Sequence, residues 1–315
     1  MRRICVALAA LTISFPLAAS AATSGYAWDS VTRIAMNADQ SSLQPGDFNA
    51  DFSAASAVQA PQQGGGGLFA QMHQAMAMGQ TMGQMMQTGI AEHHYVAGTK
   101  ERTDEISMQT ATILDCSART ITTLDLKKKT YRVVSMDQPA GHDSGGGGNG
   151  SGRSDDDTHV AITLKNAALG PRDVGGQATN GYRADMTIVE TKPSTGESHT
   201  QNANMLGYYT GISRPMMSCF GGAPAAGSGH GPGMMMGGYQ RLMQALAASG
   251  MSSRFSVKQS GPSLPLNEFA MFDAVTFTSE QRGGAATFVE ERGNLHAIGA
   301  NDPAFSIPSD FTQQQ

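Results

Sequence analysis

Between Tyr95 and Met136 the chain reads YVAGTKERTDEISMQTATILDCSARTITTLDLKKKTYRVVSM. Short runs rich in Val, Ile, Thr and Tyr follow one another, each closed by polar or turn-forming residues. That punctuation predicts an antiparallel meander. The runs fall at 95–107, 110–116, 119–126 and 130–136, with tight turns at Asp115–Ala118 and Lys127–Lys129. Every strand of such a meander has one face to bury, so the sheet needs a cover.

The same period-two alternation recurs twice downstream. Val160, Ile162 and Leu164 alternate with Ala161, Thr163 and Lys165, and Tyr182, Ala184, Met186 and Ile188 alternate with Arg183, Asp185, Thr187 and Val189. Both read as half-buried strands. Lys192–Gly196 is a turn, and His199–Thr210 reads as the returning strand. Near the end, Phe269, Met271, Asp273, Val275 and Phe277 fall on one face of a further strand, Thr287–Glu291 pairs back, and Leu295–Ile298 continues the sheet.

Two segments carry helical spacing instead. In the stretch from Leu68 to Ile90, Leu68, Met72, Met76, Gly79, Met82, Met86 and Ile90 recur at three- and four-residue intervals. In the second, Tyr239, Leu242, Met243 and Leu246 mark one face, with Gly250 as a stop. These methionine-bearing helices are the expected cover. A short segment, Gly46–Ser56, reads as a strand with Phe48 and Phe52 on one side.

Composition divides the chain. MRRICVALAALTISFPLAASA opens with two arginines, continues apolar and ends in small residues. It reads as a secretory signal peptide over 1–21, which places the mature protein in the periplasm or outside the cell. An N-terminal segment, partly flexible, is expected at 22–66, and one domain at 67–315 with flexible Gly-rich inserts at 139–157 and 221–238. No later stretch is long and apolar enough to span a bilayer, so no transmembrane segment is expected in the mature chain. The formal charge of −5 becomes −7 once Arg2 and Arg3 leave with the leader. That balance argues against a nucleic-acid partner, which needs a basic stripe. Cys116 and Cys219 remain as an even pair, the arrangement expected of a disulfide in an oxidising compartment.

The strand bearing GTKERTDEIS, the hairpin ILDCSARTITTLD, the following KKKTYRVV and the terminal FSIPSDF together resemble the periplasmic lipoprotein-carrier superfamily. More narrowly they are similar to its uncharacterised bacterial members. The resemblance covers Tyr95–Met136 and Phe269–Phe311, with weaker support at Asn180–Glu190. It implies an α+β fold: a strongly curved antiparallel β-sheet, a half-barrel, with helices across its concave face and a cavity that holds acyl chains. The Gly-rich inserts and the Met-rich helices depart from that pattern.

The candidate chemistry follows from these patterns. Met76, Met82, Tyr95, Val133, Ile162, Ile188, Leu242, Val275 and Phe277 are the candidate ligand-binding residues of an apolar pocket. An acyl chain gains about 0.8 kcal/mol per buried CH₂ and needs no specific polar contact. An ordinary packed core fits the same residues, and methionine suits an adaptable pocket. The expected partner is a hydrophobic small molecule or lipid, with a second protein of the cell envelope as another possibility. The rival chemistry is copper, with Met72, His73, Met76, His93 and His94 as ligands of a soft thioether and imidazole site. No cofactor and no enzymatic activity are expected. Gly141–Gly146 resembles a serine-protease motif only superficially, and the glycine runs lack the Lys-Ser/Thr of a phosphate loop. Glu101, Asp104, Glu105, Glu290 and Glu291 have the chemistry of an acid and base pair, but read as exposed strand carboxylates.

Overall fold

The structure is a computed structural model that describes residues 25–36, 43–59, 83, 87–137, 159–215, 255–265, 267–279 and 284–314. The expected signal peptide, both Gly-rich inserts, most of the first predicted helix and all of the second lie outside these residues. Strand accounts for 66% of the described residues and helix for 8%.

The strands are β1 (Gly25–Met36), β2 (Ile90–Ala97), β3 (Lys100–Glu105), β4 (Thr110–Asp115), β5 (Thr120–Asp125), β6 (Thr130–Ser135), β7 (His159–Val174), β8 (Gln177–Lys192), β9 (Glu197–Ser213), β10 (Phe255–Ser260), β11 (Glu268–Ser279), β12 (Gly284–Ile298) and β13 (Thr312–Gln313). They form one 13-stranded sheet in the order β10-β7-β8-β9-β11-β12-β1-β2-β3-β4-β5-β6-β13. Neighbours are antiparallel except at the two ends, where β10 runs parallel to β7 and β13 parallel to β6. The sheet does not close on itself.

The meander forms as its turn chemistry dictates. Gln109, Arg119 and Lys129, ten residues apart, all adopt positive φ of 52–54°. Each closes a four-residue turn, and the same backbone bond recurs beside each. Leu126 N donates to Gln109 O, Met136 N to Arg119 O and Thr312 N to Lys129 O. Asp115 and Asp125 accept from backbone N–H groups inside the turns that follow them. The first predicted run divides into two strands, because Gly98, at φ 60°, opens a turn between β2 and β3.

Register sorts the side chains onto two faces. Ile162, Leu164, Met186, Met205, Val275, Glu290, Trp28 and His94 share the first face. Leu206, Ala274, Val289, Val31, His93, Ile113 and Leu124 share the second. On β11 the alternation expected for Phe269 to Phe277 is broken by register shifts at Ala270. Phe269 and Met271 pack with Phe272, Val289 and Leu295 instead of following Val275.

The expected α+β arrangement, with helices across a concave face, does not hold. The one α-helix among the described residues, α1 (Phe48–Ser56), lies on the second face, where Phe48 and Ala55 pack with Val31 and Ala91. The segment was expected to be a strand. Asp47 decides otherwise: its side chain accepts from Ala50 N and caps a helix, and the four-residue spacing of Phe48 and Phe52 fits one helical face. Among the described residues the cover of the meander comes from the C-terminal segment. Ala111, Ile113 and Leu124 are buried beneath Ile307 and Phe311 of the C-terminal segment. Arg102 fixes that segment by donating to Ala304 O at 2.7 Å.

Candidate functional site

Three of the predicted ligand-binding residues meet on the first face. Ile162 of β7 pairs with Ile188 of β8, Ala184 of β8 with Met205 of β9, and Met205 with Val275 of β11. Ile162, Leu164, Ala184, Met186, Ala203, Met205 and Val275 form one buried cluster, with Val160, Ile188 and Leu264 packed against it. At its centre Ala184, Met186, Ala203, Asn204, Met205 and Val275 close on one another and leave no room for a water molecule. Phe277 follows Val275 on the same face, 37% exposed and edge-on to Phe288 at 6.1 Å.

The remaining predicted residues do not join them. Tyr95 is on β2 and Val133 on β6, both facing the second side of the sheet. Burial and the nearby Asp104 carboxylate push the Tyr95 hydroxyl above its usual pKa. Met76, Met82 and Leu242 lie outside the described residues. So does Cys219, the expected disulfide partner of Cys116.

Next to the apolar cluster the same face becomes ionic. Asp273 pairs in register with Glu290, and Arg292 joins them, with 2.9 Å to Asp273 and 2.6 Å to Glu290. Arg292 also donates to Ala270 O at 2.7 Å and lies over the Phe269 ring. Burial pushes the Asp273 carboxyl above its ordinary pKa, although Arg292 pulls the other way. Burial also opposes the Arg292 charge, but Glu290 and Asp273 outweigh it and hold that pKa above the usual value. Such a group is stable only because each ion has its counter-ion in reach.

An aromatic bridge leads onward across β1. Phe269 meets Trp28 edge-on at 5.0 Å, and Trp28 stacks on His94 at 5.0 Å and 11°. His94 Nε2 lies 2.9 Å from Ser30 Oγ and 3.3 Å from Glu92. A nucleophilic relay needs the hydroxyl and the carboxylate on different ring nitrogens. Here both address Nε2, and Ser30 is fully buried, so no such relay forms. Beyond His94, burial raises the pKa of Glu101 and of Glu105, the latter with help from Glu92.

His93 points to the second face. Its Nδ1 lies 2.5 Å from Asp29, which also accepts from Asn294 Nδ2 at 2.6 Å. The Asp29 hydrogen bond is the main reason the His93 pKa is raised. Burial pushes Asp29 upward, but the bonds from His93 and Asn294 bring it below the ordinary carboxylate value. His93 and His94, adjacent on one strand, therefore diverge to opposite sides of the sheet. As neighbours they do not converge on one copper ion, while Met72, His73 and Met76 lie outside the described residues. Among the described residues no group of three or more His, Cys, Asp or Glu is arranged to hold a metal.

Sequence reasoning missed Met205 as a pocket residue and the whole Asp273–Glu290–Arg292 group. The alternation in NANMLGYYT carries Met205; charged strand residues carry no local sign of burial. Glu291, expected at the surface, is 3% exposed and held by Arg33 at 2.5 Å on the second face. No family model matches the chain, and no curated protein matches it in sequence.

Proposed function

We propose that this chain is an exported, non-enzymatic binding protein that holds a lipid or acyl chain against the apolar part of the first face. One observation carries the reading: Ile162, Ile188 and Val275, from β7, β8 and β11, converge with Met186 and Met205 in one apolar cluster on the first face. Methionine side chains are flexible and polarisable, and so adapt to an apolar guest. The cluster is closed in this structure, so a guest enters only as the methionine side chains move aside. The neighbouring Asp273–Glu290–Arg292 group bounds the apolar cluster on the same face. The apolar N-terminal run led by Arg2 and Arg3 supports export.

Native mass spectrometry of protein purified from its own periplasm tests this directly. The expected result is a lipid-sized mass that leaves on denaturation and appears in the organic extract. Protein that carries none, and that fails to take up a fluorescent fatty acid afterwards, is not a lipid binder. Bound copper in the same spectrum would favour the metal reading instead.

A further inference from the structure

Arg214 and Glu101 carry opposite charges, and neither makes a side-chain hydrogen bond or an ion pair among the described residues. Arg214 directly follows β9, where its backbone N donates to Asn267 O at 2.8 Å. It is exposed. The groups that act on its charge are Arg292, Glu290, Asp273 and Tyr209. Arg292 already binds both Asp273 and Glu290, so neither is left for Arg214. Glu101 pairs in register with Val96 on β2, two positions from the pair His94–Thr103, and so lies on the first face with His94, Glu92 and Glu105. It is half-buried, so solvent reaches both side chains and a ligand needs no closed cavity to touch them.

In the sheet order β9 and β3 are five strand steps apart, about 24 Å on a flat sheet. Exposed charges at that range are largely screened from one another. Yet burial raises the Glu101 pKa while the His94 and Arg214 charges pull it back. The sheet therefore bends toward its first face, and Glu101 and Arg214 face each other without closing a salt bridge.

Two opposite charges held apart by their strands are answered together by a ligand that carries both signs. Glu92 and Glu105 add negative charge beside Glu101, so the cationic end belongs there. The planar guanidinium of Arg214 matches a phosphate or carboxylate. Arg214 also stands near the apolar cluster, because Tyr209, which acts on its charge, donates from its hydroxyl to Met205 Sδ at 3.9 Å.

We propose that the first face takes a zwitterion, with a protonated amine at Glu101 and a phosphate at Arg214, the chemistry of an ethanolamine phospholipid headgroup or of free phosphoethanolamine. This rests on the lipid-binding reading above and names the headgroup.

The experiment is calorimetric titration of the full mature chain with three probes. They are dihexanoyl phosphatidylethanolamine, dihexanoyl phosphatidylglycerol, which has the same chains and phosphate but no amine, and free phosphoethanolamine. The ethanolamine lipid is expected to bind about tenfold more tightly than the glycerol lipid, the worth of one hydrogen bond to a charged group. Glu101→Gln should close that gap, while Glu197→Gln, the same loss of charge at the opposite end of β9, should keep it. Arg214→Gln should weaken both lipids, since both carry the phosphate. Equal binding of the two lipids, or a gap that survives in Glu101→Gln, overturns the inference and spares the lipid-binding reading. Free phosphoethanolamine that binds as tightly as its lipid upholds the zwitterion and overturns the lipid-binding reading. Failure of all three to bind overturns both. Should Glu101→Gln not fold, the two lipids compared on the unaltered protein and on Arg214→Gln decide.

Discussion

His93 and Asp29 show how much one strand position determines. Adjacent residues of a strand face opposite ways, so His93 and His94 meet entirely different surroundings. The His93 pKa is raised in the fold, so its contribution to stability is complete below the unfolded value of about 6.5 and fades as pH climbs through the raised value. The Asp29 pKa is lowered, so its contribution is present above about 3.8 and fades as pH falls through the lowered value. The pair therefore stabilises most between about pH 4 and 6.5. His93→Gln is expected to lower the melting temperature most near pH 5–6 and least near pH 9; thermal melts across that range read the difference. A uniform offset at all pH values would show that the ring matters for packing against Phe52 alone. Glu105 runs the opposite way. Burial and Glu92 raise its pKa, so the ionised form weighs against folding and stability grows as pH falls through the raised value. Glu105→Gln should raise the melting temperature at pH 7 and change little at pH 4. None of this was readable from residue type: a carboxylate on a strand looks the same in sequence whether it faces water or a neighbouring carboxylate.

At the scale of elements, local chemistry was legible and long-range register was not. The meander strands β4, β5 and β6 fall within a residue or so of the runs read from the sequence, because their turns are local and repeat every ten residues. Gly46–Ser56 was read as a strand although Asp47 and the alanines favour a helix, because spacing alone fits both. What holds α1 down is still less local. A Cβ on Gly293 would lie 2.2 Å from the Phe48 ring, so the helix docks only because β12 has no side chain there. Gly293→Ala is expected to cost about 1–3 kcal/mol by overpacking. The cost should shrink in a Phe48→Leu background, and a double-mutant cycle in urea, followed by Trp28 fluorescence, measures the coupling. Additive effects would mean that α1 shifts to make room. The convergence of Ile162, Ile188 and Val275 was anticipated as a set of apolar strand residues.

Taken whole, the sheet is covered by different means along its width. α1 lies over β1, β2 and β12, and the C-terminal segment lies over the meander. The tip of the β7–β8 hairpin is packed beside β12, where Gly175 leaves room for Arg292 O and Met271. Ending the chain before Asp302 removes Ile307 and Phe311 from above Ala111, Ile113 and Leu124. Hydrogen exchange of that truncated protein should show faster exchange in β4 and β5 and unchanged protection in β7, β8 and β9. A uniform rise across all strands would mean that the sheet unfolds as one unit.

The placement of β1 has one further result. It sits in the middle of the sheet, with β12 on one side and β2 on the other, and Asp29 is bonded to Asn294, 265 positions later. β1 thus waits for β12, made more than 200 residues later, to complete one of its two edges. Contacts of such separation form slowly. A polypeptide that cannot complete its centre until β12 has been made keeps that edge of β1 open until then.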